Sequence, residues 1–409
     1  MKIGIDARLY GTKHGGIGRY TAELVKNLEK VDSQNDYFIF LARNNFDEYQ
    51  PQNSRFKKVS ADFKVYGVFE QSLYPFLLYS YNLDLVHFTH FNVPLLYAKR
   101  YIVTIHDLII SHYPSSRATT LNPVLYRLKL FFYNFIVKSA ASRAKQIIAV
   151  SQFTKDDIVR LLKVRPEKIA VVYEGVDLPA ISDFDCPVVK RDLGIGDEFI
   201  MYVGSAYPHK NLEKLIEAFA EVAKIRPQLQ LALAGKKNFF YQRLEEFANN
   251  VILREADIMS GDRGDLVAEE HDDLKHEIPT VASLPWNDNT LKPIIFTGYL
   301  PDEQIACLYK SALLYVFPSL IEGFGLPPLE AQSYGLPVAS SDKTCLPEVL
   351  GDSALYFDPE NVEDMVAKIG AALSDEELRA SLRERGYENV KKYSWHKMAE
   401  EIKKLYYNS

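Results

Sequence analysis

Pro318-Ser319-Leu320-Ile321-Glu322-Gly323-Phe324-Gly325-Leu326-Pro327-Pro328-Leu329-Glu330-Ala331 follows the apolar run Leu313 to Phe317. The run reads as a buried strand, and the stretch after it as a Gly-rich loop that opens a helix near Leu326. Gly323 and Gly325 free the backbone for close approach to a ligand, and the helix start points N–H groups at it. Glu322 stands in the loop and Glu330 about a turn into the helix. One carboxylate can face a sugar while the other accepts hydrogen bonds from vicinal hydroxyls such as those of a ribose.

The same strand-to-helix alternation recurs outward from this stretch. Short β-rich runs at Lys2 to Ala7, Tyr37 to Leu41, Leu85 to Phe88, Tyr101 to Ile105 and Gln146 to Val150 interleave with helical patterns such as Gly18 to Lys30. A second series contains Phe199 to Val203, a helix from Leu212 to Lys224, Leu229 to Leu233, Ile294 to Phe296 and Leu313 to Phe317. This predicts an α/β protein of two doubly wound parallel-sheet halves, and 409 residues suit two domains. Gly175 to Gly196 has little periodicity and reads as a linker, with the boundary near Leu178 to Pro187. The domains are then 1–180 and 181–392.

Composition excludes several classes. Forty-eight Lys and Arg against 54 Asp and Glu leave a net charge of −6, which argues against a whole-surface grip on nucleic acid. Cys186, Cys307 and Cys345 are odd in number and lack metal-ligand spacing, so they read as free thiols in a reducing compartment. No apolar run reaches the roughly 18 residues of a membrane-spanning helix, and the chain is expected to be cytoplasmic.

Two loops supply phosphate chemistry. Gly11, Gly15, Gly16 and Gly18 surround the first strand-to-helix junction, where backbone N–H groups and the helix dipole can hold an anion; a tight turn alone would use the same glycines. Gly16-Ile17-Gly18-Arg19-Tyr20-Thr21 lacks the third Gly of a nicotinamide fingerprint, and Phe38-Ile39-Phe40-Leu41 ends without a ribose-binding acid. In the second half, Gly204-Ser205-Ala206-Tyr207-Pro208-His209-Lys210-Asn211 leaves a strand and opens a helix. Lys210 there either meets a diphosphate or is a solvated lysine in a polar loop.

Glu322 and Glu330, separated by the seven residues Gly-Phe-Gly-Leu-Pro-Pro-Leu, resemble the E-x7-E motif of retaining glycosyltransferases of the GT-B fold, the family 4-like group of bacterial mannosyl- and glucosyltransferases. Further matches are Gly15-Gly16-Ile17-Gly18, Thr104-Ile105-His106-Asp107, Ala149-Val150-Ser151, Gly175-Val176-Asp177, the Gly204 to Asn211 loop and Phe296-Thr297-Gly298-Tyr299-Leu300. The resemblance implies two Rossmann-like domains facing across a cleft, with residues 393–409 returning to the first domain as a helix. It implies a nucleotide-sugar donor held mainly by the second domain: Glu322 at the donor sugar, Glu330 at the ribose, Lys210 at the diphosphate, and His106 facing the sugar near the reacting carbon. Backbone at Phe324, Gly325 and Leu326 would complete the cradle, and Gly16 would close it from the other domain. His106 followed by Asp107 also reads as a local cap. Positions that often carry Arg in this family hold Ser205 and His209, so phosphate binding would lean on Lys210, on protonated His209 or on a basic residue of the first domain. Glu174 stands where Asn is frequent.

No His/Asp cluster demands a metal, and beyond the nucleotide-sugar co-substrate no cofactor is expected. A nucleoside diphosphate is a good leaving group, so the chemistry calls for positive charge at the diphosphate more than for a proton donor. No convincing nucleophile faces the opposite side, which favours same-face substitution with retention. The expected activity is hexose transfer, mannose favoured, from GDP-mannose or a UDP-hexose to a glycan or lipid-linked acceptor of cell-surface polysaccharide synthesis. The rival readings are a nucleotide-sugar epimerase of the same fold and a non-catalytic nucleotide-sugar-binding subunit.

Two stretches depart from the pattern. Asn249 to Thr290 is acidic and poorly periodic, and is assigned no function. Between Asp107 and Asp156 there is no carboxylate, while Leu121 to Lys138 carries Tyr126, Phe131, Phe132, Tyr133 and Phe135 among Arg127, Lys129 and Lys138. Phe69 to Tyr81 adds further aromatics. Such a helix either packs on the first domain's sheet or lies against an anionic membrane, which would place the protein at the inner face of the cell membrane.

Overall fold

Strands that are buried on both faces lose the alternation of a half-exposed sheet and read as unbroken apolar runs. In the computed structural model, which describes residues 1–112, 122–177, 185–260 and 293–409, every residue of Leu85–Phe88, Tyr101–Ile105 and Gln230–Ala234 is buried. The first domain holds β1 (Lys2–Asp6), β2 (Asp36–Leu41), β3 (Phe56–Ser60), β4 (Leu85–Phe88), β5 (Tyr101–Ile105), β6 (Gln146–Ala149) and β7 (Ile169–Val171), all parallel, in the order β3-β2-β1-β4-β5-β6-β7. The second holds β8 (Phe199–Val203), β9 (Gln230–Ala234), β10 (Ile294–Gly298), β11 (Leu314–Phe317), β12 (Val338–Ser341) and β13 (Ala354–Phe357), also parallel, in the order β10-β9-β8-β11-β12-β13. Strand order reverses between β1 and β4 and between β8 and β11. At such switch points the connections diverge to opposite sides and leave a crevice at the carboxyl ends of the strands. The loops singled out in the sequence lie at those ends.

Helices cover the sheets with one apolar face each. The helix Gly15–Val31 buries Tyr20, Leu24, Val25 and Leu28, and starts at Gly15 rather than at Gly18, because the turn Thr12–His14 runs directly into it. The last helix, Trp395–Asn408, lies against this first one: Lys403 Nζ donates to the Val31 carbonyl at 2.8 Å, and the Tyr406 hydroxyl meets His87 Nδ1 at 2.8 Å.

Three expectations are corrected. Within the stretch read as a linker, Cys186–Leu193 is a helix, capped by the Asp185 side chain with Pro187 in its first turn and Gly194 in the left-handed conformation at its end; residues 178–184 lie outside the described residues. The aperiodic acidic stretch begins inside the helix Phe239–Ser260, and its remainder, 261–290, lies outside the described residues. The three cysteines are not all free. The helices Cys186–Leu193 and Asp302–Ser311 pack together and join Cys186 to Cys307, with Cα atoms 5.1 Å apart, while Cys345 is free and buried. A pairing across 121 residues has no local spacing to read, and the cysteine count no longer argues for a reducing compartment.

The aromatic helix, Pro123–Arg143, is buried along one face and exposed along the other. Tyr133, Val137, Ala140 and Ala141 are buried against the first sheet, whereas Leu128, Phe131, Phe132 and Phe135 are exposed, as are Phe69 and Phe76. Among the described residues no helix is long and apolar enough to cross a membrane.

Candidate active site

The loop after β11 ends at Gly325, whose φ of 93° is open to Gly and costly for other residues, and the helix Leu326–Ser333 starts there. Pro327 and Pro328 carry no N–H, so the donors at this helix start are those of Phe324, Gly325 and Leu326. Phe324 and Leu326 are themselves buried and fix the loop. Gly323 is required by contact across the cleft, because a Cβ on it would lie 1.9 Å from the His106 carbonyl oxygen.

Glu322 and Lys210, 112 residues apart, form a buried ion pair of 2.6 Å. The Glu322 N–H donates to Thr344 Oγ1 at 3.2 Å, and its carbonyl accepts from Cys345 Sγ at 3.3 Å. Lys210 ends the 3-10 turn Pro208–Lys210 and lies 5.8 Å from the Phe317 ring centroid. The turn is braced by Leu320 N–H on the His209 carbonyl and by Asn211 Nδ2 on the carbonyls of Pro318 and Pro359. Ser205 sits at the strand end, its carbonyl accepting from the Tyr202 hydroxyl at 2.9 Å. Burial, with Lys210 adding to it, drives the His209 imidazole down to about 4. Burial thus favours the neutral His209 imidazole near pH 7.

Glu330 is reached from the other domain. Arg19 Nη1 donates to its Oε1 at 2.7 Å and Arg19 Nη2 to Asp302 Oδ2 at 2.8 Å, while the Tyr309 hydroxyl stands 3.5 Å from Glu330 Oε2. Burial raises the Glu330 carboxyl above its usual range and the Arg19 guanidinium opposes that shift. Gly15 and Gly16 are exposed four and three residues before Arg19, and a Cβ on either would touch nothing within 4 Å.

His106, at the end of β5, is buried with both ring nitrogens engaged. Nε2 donates to the Thr89 carbonyl at 3.0 Å and Nδ1 faces Glu174 Oε1 at 3.1 Å; the ring stands edge-on to Tyr20 at 4.7 Å. In this arrangement the imidazole has no ring donor left for a sugar, and its backbone is what abuts Gly323. The local cap belongs to Asp107, whose Oδ1 accepts from Ile109 N–H at 3.0 Å. Ser151 Oγ and Thr154 Oγ1 donate to the Gly323 carbonyl at 2.7 and 3.2 Å. The Glu348 carboxylate accepts from Gln152 and Phe153 N–H at 2.7 and 3.0 Å, at the positive end of the helix Gln152–Leu162.

The structure thus brings Lys210, Glu322, the Phe324–Leu326 backbone and the backbone of His106 together, with Glu330 and Arg19 on the adjoining part of the cleft. Sequence reasoning gave no role to Arg19, Glu174, Asp302 or Glu348. Arg19 is the fifth residue of the helix Gly15–Val31, and no local spacing points from it to Glu330, 311 residues away.

A family model described as Glycosyl transferases group 1 matches residues 189–268 and 284–389, and one for Glycosyltransferase Family 4 matches residues 14–179. The chain is 27% identical over 403 residues to the O-antigen chain mannosyltransferase B of Escherichia coli, covering 93% of this chain and 92% of that protein. It is 30% identical over 258 residues, 62% of this chain, to the serotype-specific mannosyltransferase WbdA of Escherichia coli, and spans 27% of that longer relative. Alr3699/HepE of Anabaena, solved in complex with UDP and glucose, matches over the whole of both chains with a TM-score of 0.71 at 17% identity. With one family model lying over each sheet and the fold shared end to end, the chain belongs to the GT-B glycosyltransferases.

Proposed function

We propose that the chain is a retaining hexosyltransferase that transfers mannose from GDP-mannose to a glycan or lipid-linked acceptor in cell-surface polysaccharide synthesis. The observation that carries this reading is the buried Lys210–Glu322 pair, set beside the helix start at Leu326 and against the backbone of His106. Lys210 and the N–H groups of Phe324, Gly325 and Leu326 would face the diphosphate, where negative charge accumulates as the glycosidic bond breaks. The bonding pair leaves with the diphosphate oxygen. The acceptor oxygen bonds to the anomeric carbon from the same face, and its proton passes to the departing diphosphate. Glu322 would lie against the sugar as it becomes positive, and Glu330 would take the ribose hydroxyls. This scheme draws its positive charge from the chain itself and calls on no metal. The mannosyl donor is favoured by the names of the two relatives, and a nucleotide-bound state by the UDP complex of the Anabaena protein.

The exposed apolar face of the helix Pro123–Arg143, bordered by Arg127, Lys129 and Lys138, would hold the enzyme at an anionic membrane near a lipid-linked acceptor. A donor screen tests the whole reading. The full chain is incubated with GDP-mannose and common UDP-hexoses, nucleoside diphosphate release is followed, and the anomeric configuration of the product is read by NMR. Release is expected to be fastest from GDP-mannose, with retention. Release from none, an inverted product, or an epimerised sugar formed without acceptor would overturn it.

A further inference from the structure

Asp107 is a partly buried carboxylate in the middle of the cleft that neither the donor scheme nor the fold uses fully. Its Oδ1 takes the Ile109 N–H, and among the described residues no other donor reaches the carboxylate. It stands beside the loop of the second domain: a Cβ on Gly323 would lie 3.2 Å from the Asp107 Cβ, and the charges of Glu322 and Lys210 both act on it. On the first domain's side, the adjacent His106 donates from Nε2 to the Thr89 carbonyl, and the next two residues, His90 and Phe91, stand 5.8 and 6.4 Å from the Tyr66 ring, centroid to centroid. Asp107 therefore adjoins the loop proposed for the donor sugar, and its chain neighbour His106 connects it to the strand end that carries the Tyr66 ring.

Tyr66 is the exposed part of that surface, at 65% relative exposure, and it is held in place rather than free. Its φ of 65° is unfavourable for a bulky residue and is stabilised by its N–H on Glu70 Oε2 at 2.7 Å; Glu70 is itself locked by the buried Arg8 at 2.6 Å. The Tyr66 hydroxyl meets His90 Nε2 at 3.3 Å, with the rings edge to face at 5.8 Å. His90 Nδ1, beside this ring, and Asn92 Oδ1, on the side chain that shares Glu70 Oε2 with the Tyr66 N–H, are buried without a protein partner. Buried polar atoms are rarely left so, and a concentration of them beside an exposed, rigidly held aromatic ring points to a polar ligand or ordered water.

We infer that Asp107 and the Tyr66 ring form the subsite for the terminal sugar of the acceptor, a pyranoside whose hydroxyls bind Asp107 and whose C–H face lies on Tyr66. The inference rests on the glycosyltransferase reading above for the identity of the ligand as an acceptor. It gives the attacking hydroxyl a carboxylate partner next to the Glu322 loop, and leaves the unpaired atoms near His90 for hydroxyls further along the ring. Tyr66 and Asp107 come from different loops, so the subsite forms only in the folded first domain.

The test is saccharide binding, independent of turnover. The full chain saturated with GDP is examined by saturation-transfer NMR with methyl α-D-mannopyranoside and an α-linked mannobiose. Titration with GDP alone reports on the fold and the donor site. The parent is expected to show transfer to both saccharides. Asp107→Asn and Tyr66→Ala should each weaken binding at least about tenfold, the loss expected for a charged hydrogen bond or a stacked ring, with GDP affinity within about twofold of the parent. Tyr66→Phe, which keeps the ring, should retain most of it. Absence of transfer to either saccharide in the parent, unchanged binding in Asp107→Asn and Tyr66→Ala, or losses that GDP affinity follows in parallel would each overturn the subsite. Failure of the donor reading is seen separately, in the donor screen.

Discussion

Replacing Glu322 with Gln should separate affinity from turnover. Lys210 is 2.6 Å from Glu322, with the two side chains only 16% and 9% exposed, so its charge is compensated by that carboxylate. A nucleoside diphosphate arriving at Lys210 competes with that carboxylate and is repelled by it. A charge-assisted hydrogen bond in such surroundings is worth about 1.5 to 3 kcal/mol, and Gln keeps the shape while removing the charge. Binding of GDP or UDP should therefore tighten by about 10- to 100-fold in Glu322→Gln, since each 1.4 kcal/mol is about tenfold. Turnover should fall at least about a hundredfold, because the carboxylate facing the developing positive sugar is lost. Lys210→Ala should instead weaken nucleotide binding, and should cost about 3 to 5 kcal/mol of folding stability by leaving Glu322 buried and unpaired. Isothermal titration with each nucleotide, steady-state rates and denaturant unfolding measure these effects. Unchanged or weaker nucleotide binding in Glu322→Gln, or rates near the parent, would refute the competition.

Arg19→Met should raise the donor KM several-fold and make it worse toward acid. Burial raises the Glu330 carboxyl and Arg19 counters it, with Asp302 and Asp177 adding to the rise; without Arg19 the ionised form is lost at a higher pH as pH falls, so a KM whose pH profile matches the parent's would count against the role. Glu348→Ala removes the carboxylate that caps Gln152–Leu162 from the other domain, and should shift the donor-free scattering curve toward larger dimensions; identical curves would mean the Gly323 contacts suffice. Changing Arg127, Lys129 and Lys138 to Glu should weaken flotation with anionic liposomes, as should added salt, and equal recovery on neutral vesicles would argue against the membrane contact.

The sheets were legible because a parallel strand covered on both faces has to be apolar throughout, as in Leu85–Phe88 and Tyr101–Ile105. The helix Cys186–Leu193 carried its own signals, with Asp185 as cap, Pro187 in the first turn and Gly194 at the end. Its eight residues sit among Pro and Asp that also suit a linker, and what holds it is a disulfide and packing against Asp302–Ser311, neither of which is local. The candidate site divides in the same way. The loops at Gly15, Gly204 and Gly323 could be located because glycine and strand ends leave marks in the sequence, but their pairings could not. Lys210 with Glu322, Arg19 with Glu330 and His106 with Glu174 are separated by 112, 311 and 68 residues.

These pairings change what the donor meets. Lys210 faces Glu322, Glu330 faces Arg19, and the ring of His106 is bonded at both nitrogens. The charged groups assigned to the diphosphate, sugar and ribose thus have protein partners, Lys210 and Glu322 within the second domain and Glu330 across the cleft. Donor binding is then an exchange of partners rather than the filling of an open charged site. Glu330 can accept ribose hydroxyls while keeping one oxygen on Arg19, so the Arg19 bond could persist in the bound state and tie nucleotide occupancy to the distance between the domains. Glu174 gives the same exchange a limit at His106. With a carboxylate on Nδ1 and the Thr89 carbonyl on Nε2, the ring is fixed by two bonds, and moving it toward a sugar would break at least one of them in a buried setting. The backbone of His106, already in contact with the Gly323 loop, can meet the sugar without that loss.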